Sequence, residues 1–121
     1  MKETTRIDIK ILKSEAETSE HGESYRVLDR NAHYRIGVGA RLKPSGQVLC
    51  FLEVVVHLCP RPPEVDTSFI EKSVTLLKEL QARRYSLSCE DDGSISCEID
   101  VAYENLDGEH EAIKSLAKGI F

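Results

Sequence analysis

This chain of 121 residues has no long apolar run, no close pair of metal-binding cysteines, no phosphate-binding loop and no excess of positive charge. Each absence removes a class of function. The longest apolar stretch, residues 48–58, is interrupted by Glu53 and His57 and is far shorter than the roughly 20 residues of a membrane-spanning helix. No membrane role is expected. The first residues run directly into Ile7-Asp-Ile-Lys-Ile11 without the apolar centre of a signal peptide, so a cytoplasmic location is expected. A net charge of -5 at pH 7 opposes general binding to nucleic acid, which draws most of its affinity from neutralising phosphates. Arg35, Arg41 and Lys43 share an expected strand face, with Arg30 just upstream, which leaves room for a local basic stripe, but a charged outer face is usually only a solvated one.

Four cysteines are present, Cys50, Cys59, Cys89 and Cys97. Their spacing lacks the short C-x2-C or C-x4-C knuckle of zinc sites. Three of them, Cys50, Cys89 and Cys97, fall on expected core faces, where a free thiol behaves as a small hydrophobe. Reduced thiols are therefore expected. The glycine pair Gly37-Val-Gly39 lies inside a strand pattern and opens no helix, so it does not match a nucleotide fingerprint. Nothing in the sequence calls for a cofactor.

What is present is a globular composition, 40% hydrophobic and 31% charged, of a length that suits one α+β domain spanning residues 1–121. Its most legible part is a hairpin. Residues 34–42 and 48–58 carry strand patterns, and Lys43-Pro-Ser-Gly46 between them has proline where a type I turn wants a fixed φ and glycine where the chain turns left-handed. That turn pairs Leu42 with Val48, Ala40 with Cys50, Val38 with Leu52, Ile36 with Val54 and Tyr34 with Val56. All ten side chains share one face, because side chains along a strand alternate with a period of 2. One face is core.

The other face carries Arg41 opposite Leu49, Gly39 opposite Phe51, Gly37 opposite Glu53, Arg35 opposite Val55 and His33 opposite His57. Phe51 is expected to lie over both glycines, and Arg35 to reach Glu53 and His57 as diagonal neighbours. Glu53 sits between Phe51 and Val55, an apolar setting in which a carboxylate needs a partner. Leu49, Phe51 and Val55 together are too much apolar surface to leave bare, so this face is expected to be covered by the last helix, by the loop at residues 14–24 or by a second copy.

The remaining elements follow from local pattern. Ile7, Ile9 and Ile11 alternate with Asp8 and Lys10 as a first strand, followed by a polar loop over residues 14–24 and a short edge segment at residues 25–28. Cys59-Pro-Arg-Pro-Pro-Glu64 is a stiff connector, and its single P-x-x-P match is too common in loops to identify a ligand for a proline-binding domain. A helix opens with a capping box at Ser68 and Glu71, with Phe69, Ile70, Val74, Leu76, Leu77 and Leu80 as a broad apolar stripe. A second hairpin turns at Glu90-Asp-Asp-Gly93 and pairs Cys89 with Ile95 and Leu87 with Cys97, with Ser86, Ser88, Ser94, Ser96, Glu98 and Asp100 facing solvent. A last helix starts at Asp107, with Ile113, Leu116, Ala117 and Ile120 at helical spacing. The sum is an α+β two-layer sandwich. An antiparallel sheet of about five strands, in the order β-ββ-α-ββ-α, packs its core face on two helices.

For function, His33, Glu53 and His57 bring together the ligand types of a zinc or iron site and the groups for acid and base chemistry. A cross-strand histidine pair beside an Arg35 to Glu53 ion pair accounts for the same residues without any metal. His21 and His110 are read as solvent-exposed. The favoured reading is a protein-interaction or assembly module that self-associates or binds another protein through Arg35, Arg41, Leu49, Phe51, Glu53, Val55 and His57. The alternative is a ligand- or metal-binding protein or enzyme with its site at Arg35, Glu53 and His57 of the same face.

Overall fold

The computed structural model describes residues 9–57 and 67–121. In chain order the elements are α1 (Ile9–Thr18), β1 (Glu23–Arg30), β2 (Tyr34–Leu42), β3 (Val48–Val56), α2 (Thr67–Ala82), β4 (Ser86–Cys89), β5 (Ile95–Val101), a 3-10 turn (Tyr103–Asn105) and α3 (Leu106–Ile120). The proline-rich connector and Cys59 lie outside the described residues.

The two hairpin turns form as their residues dictate. Gly46 adopts φ 92° and Gly93 φ 87°, the left-handed region in which only glycine escapes a steric cost. The amide of Gly46 donates to the Lys43 carbonyl at 2.8 Å, and that of Gly93 to the Glu90 carbonyl at 3.1 Å. All five core pairs expected for the first hairpin are present, as are the Leu87–Cys97 and Cys89–Ile95 pairs of the second. β3 then pairs with β5, and the sheet runs β1-β2-β3-β5-β4, antiparallel throughout.

One face of this sheet is buried under all three helices. Ile36, Val38, Leu52, Val54 and Cys97 from the strands meet Leu12 and Ala16 of α1, Leu76 and Leu80 of α2, and Leu106, Ile113 and Ala117 of α3. The α+β two-layer sandwich with a five-stranded antiparallel sheet is thus present, with one more helix than the sequence pattern suggests. The difference lies at the start of the chain. Residues 9–18, expected to be the end of a strand and the start of a loop, form α1. The Ile9 and Ile11 alternation is overridden by Leu12 and Ala16, four residues apart and both buried, while Ile11 is half exposed. The fifth strand is instead β1, whose eight residues begin inside the expected loop.

β1 contains a bulge. Val27 pairs with Gly37 and Asp29 with Ile36, so Leu28 is the extra residue. The bulge turns Leu28 and Asp29 to the same side. Leu28 joins the core, and Asp29 accepts a 2.8 Å contact from the ring of His110 on α3. His110 is therefore a buried residue, only 7% exposed, rather than a solvated one. At the edge of the helical layer the reverse correction applies: Ile70 and Val74 of the expected α2 stripe are exposed, as are Leu87 and Cys89 of β4. A strand at the sheet's rim has no helix fully above it.

Candidate functional site

The second face of the sheet carries no helix among the described residues, yet it is not bare. Phe51 is 3% and Val55 5% exposed, and the cover of Phe51 comes from its neighbours in the sheet. Tyr25 on β1, opposite Gly39, stacks on Phe51 at 6.4 Å between ring centroids. The two glycines make room for this layer. A methyl group on Gly37 would collide with the Tyr25 hydroxyl, and one on Gly39 with the Phe51 ring and with the Ser24 carbonyl 2.6 Å away. The expectation that Phe51 spans both glycines is corrected: it covers Gly39, and Tyr25 covers Gly37. Arg41 completes the cover by crossing above Phe51, its guanidinium 4.4 Å from the ring centroid. It is held there by both oxygens of Glu98 at 3.2 Å and by Glu23 at 2.8 Å.

Glu53 is the hub of the face. Its two oxygens accept hydrogen bonds from the Tyr25 hydroxyl at 2.7 Å and the Ser96 hydroxyl at 2.8 Å, and Arg35 stands 3.7 Å from one of them. The predicted Arg35 to Glu53 pair is present. Burial, reinforced by the bond to Glu53, pushes the Tyr25 phenol up to about 12, so it stays a donor at any ordinary pH. Ser96 and Ser94, expected to face solvent, are buried. The Ser94 hydroxyl and amide both bind the Asp92 carboxylate, holding it below the usual aspartate range.

Arg35, Glu53, Val55 and His57 line an open pocket of about 340 Å³ together with Glu90, Asp91 and Asp92 of the β4–β5 turn and Ser94 and Ser96. Burial, and next the charge of Arg35, lower the pKa of His57, so its ring is neutral at pH 7. The pocket thus sets four carboxylates against one guanidinium.

His33 is not part of this site. Its carbonyl accepts from the His57 amide at 3.0 Å, as the pairing requires, but its ring turns to the helical side. There it stacks on Phe121 at 4.7 Å and packs against Phe69 at 5.0 Å. The His33, Glu53 and His57 trio is broken, and among the described residues no three His, Cys, Asp or Glu side chains are grouped to hold a metal ion. Arg41 and Leu49 lie at the far end of the same face from the pocket, joined to it through Phe51 and the Arg41–Glu98 bridge.

Tyr25, Ser96, Glu98 and the 90–92 turn were not singled out by sequence pattern. The signal for Tyr25 is the glycine pair itself, since glycine in a strand interior marks a close approach by a neighbour. Cys97 and Cys50 are buried on the core face with thiols pushed up by burial, Cys97 to about 12, and stand apart from the site. Comparison with protein-family models, with curated proteins and with solved structures finds no match, so the functional reading rests on this geometry.

Proposed function

We propose that the protein is a small interaction module whose recognition surface is the helix-free face of its sheet, with the pocket between Arg35 and the 90–92 turn as the receptor for a basic side chain of a protein partner. The observation that supports this most is the pocket's charge, Glu53, Glu90, Asp91 and Asp92 against Arg35 with His57 neutral. A lysine or arginine entering it gains charge-assisted hydrogen bonds. Arg41, bridged to Glu23 and Glu98, and Leu49 extend the surface as a mixed-charge platform above the buried Phe51. Because Phe51 and Val55 are already covered within one chain, that platform suits a polar partner better than an apolar self-interface. Uncrosslinked Cys50, Cys89 and Cys97 fit a reducing, cytoplasmic setting.

Both oxygens of Glu53 are tied to hydroxyls within the sheet, those of Tyr25 and Ser96, which fixes the carboxylate as a stationary charge and leaves further acceptor capacity for a bound cation. The test is calorimetric titration of the protein with short peptides that differ in a single arginine, lysine or glutamate. The basic peptides bind, the acidic one does not, and Asp92→Lys weakens the basic peptides by about tenfold or more. Equal binding of acidic and basic peptides, or indifference to Asp92→Lys, overturns the reading.

A further inference from the structure

The two edges of the sheet are built differently. β1 carries Glu23, Arg26, Asp29 and Arg30 and is bent by the bulge at Leu28, devices that keep an edge strand from pairing with another chain. β4 has none of them: Ser-Leu-Ser-Cys is uncharged, regular and exposed at every position. Glu90 donates its amide to Ser94 across the hairpin at 2.9 Å. The alternation of an antiparallel ladder then turns Ser88 and Ser86 inward and leaves the amides and carbonyls of Leu87 and Cys89 pointing out from the edge. Leu87 continues the core face and yet is 39% exposed.

Opposite charges flank this strand. Arg83 and Arg84 precede it, Glu90, Asp91 and Asp92 follow it, and all five are exposed. Among the described residues neither arginine forms an ion pair. The arginines are held beside the strand by bonds from the Arg84 amide to the Gln81 carbonyl at 3.0 Å and from the Tyr85 amide to the Leu80 carbonyl at 3.1 Å, with Arg84 in the left-handed region at φ 74°.

We propose that β4 pairs antiparallel with β4 of a second copy about Leu87, fusing the two sheets edge to edge. The strand and its flanks are self-complementary in this register. Leu87 meets Leu87 of the second copy and the two exchange N–H···O bonds, while the Cys89 amide meets the Tyr85 carbonyl. The Tyr85 amide, already bonded within its own chain, is not needed. Arg84 comes against Glu90 of the second copy and Arg83 against Asp91, and the two-fold axis repeats each pair. A foreign strand offers the backbone bonds but not this doubled charge match. The axis stands perpendicular to the sheet, so both helical layers lie on one side and both recognition faces on the other. Pairing draws Glu90 and Asp91 from the pocket rim and leaves Glu53 and Asp92 lining it, so the self-interface shares two carboxylates with the proposed binding site, and Arg83→Glu/Arg84→Glu, which keeps all four, tells the two apart.

Sedimentation equilibrium of the whole chain tests the proposal. Wild-type protein sediments at twice the chain mass of 13.6 kDa as concentration rises, and Arg83→Glu/Arg84→Glu and Glu90→Arg/Asp91→Arg each sediment at the single-chain mass. An equimolar mixture of the two variants regains the doubled mass, because every reversed pair then meets its complement. Amide exchange at Leu87 is slow in the wild type and in the mixture and fast in either variant alone. A wild type that stays at the single-chain mass, variants that still double, or a mixture that fails to recover overturns the proposal. So does a doubled mass with a fast-exchanging Leu87 amide, which places the second copy on another surface. Basic-peptide binding by Arg83→Glu/Arg84→Glu reads the pocket independently of the outcome.

Discussion

Tyr25 shows how one side chain decides the character of a whole face. Its ring shields Phe51, its hydroxyl donates to one oxygen of Glu53, and the bare backbone of Gly37 leaves room for it. Tyr25→Phe keeps the ring and removes the donor, leaving a half-buried carboxylate oxygen without its bond, so the fold loses about 1 kcal/mol by chemical denaturation. The same substitution changes the alkaline limb of stability. The folded-state pKa of Tyr25 lies near 12 against an ordinary 10. The unfolded chain therefore releases the proton first, and stability falls as pH rises from about 10 to about 12. Tyr25→Phe flattens that decline, and denaturation midpoints measured across this range check it. The glycines differ in what they tolerate. Gly39→Ala meets the Ser24 backbone as well as Phe51 and costs roughly 1–3 kcal/mol. Gly37→Ala meets mainly the tip of Tyr25, which swings aside, so its cost is smaller and appears as lost protection of the Glu53 network.

The bulge at Leu28 is the element that ties the edge of the sheet to the last helix. Without the extra residue, Asp29 would face the open side and His110 would be buried without its partner. Removing either side chain strands the other, so Asp29→Ala and His110→Ala each cost about 1–3 kcal/mol, and the double variant costs less than the sum of the two. A double-mutant cycle by thermal or denaturant unfolding measures this coupling. The bulge was not legible in the sequence, because it depends on how β1 meets β2 and no residue type in Val27-Leu-Asp29 demands it. The two hairpins were legible to the residue pair, since Pro44, Gly46 and Gly93 fix the turns and the turns fix the register. α1 was misread because two isoleucines at alternate positions resemble a strand when the burial of Leu12 and Ala16 is unseen. The site was half legible: the register placed Arg35, Phe51, Glu53 and His57 on one face, but Tyr25, Ser96 and the acidic turn come from strands whose partners are set by the order β1-β2-β3-β5-β4.

At the scale of the molecule, the three helices settle the division of labour. They cover one side of the sheet up to its exposed rim at β4, among the described residues none of them is long and apolar enough to cross a membrane, and the other side is left as an ordered polar platform with an acidic pocket. Its order is internal to one chain, so the proposed binding of a basic side chain would need little rearrangement. The most direct test of the recognition face is the amide chemical-shift map of the Arg83→Glu/Arg84→Glu protein titrated with an arginine-containing peptide at neutral pH. Shifts that concentrate at Arg35, Glu53, His57, Asp92, Ser94 and Ser96, with α1, α2 and α3 unmoved, are the predicted result. Shifts centred on the helices, or none at all, contradict it.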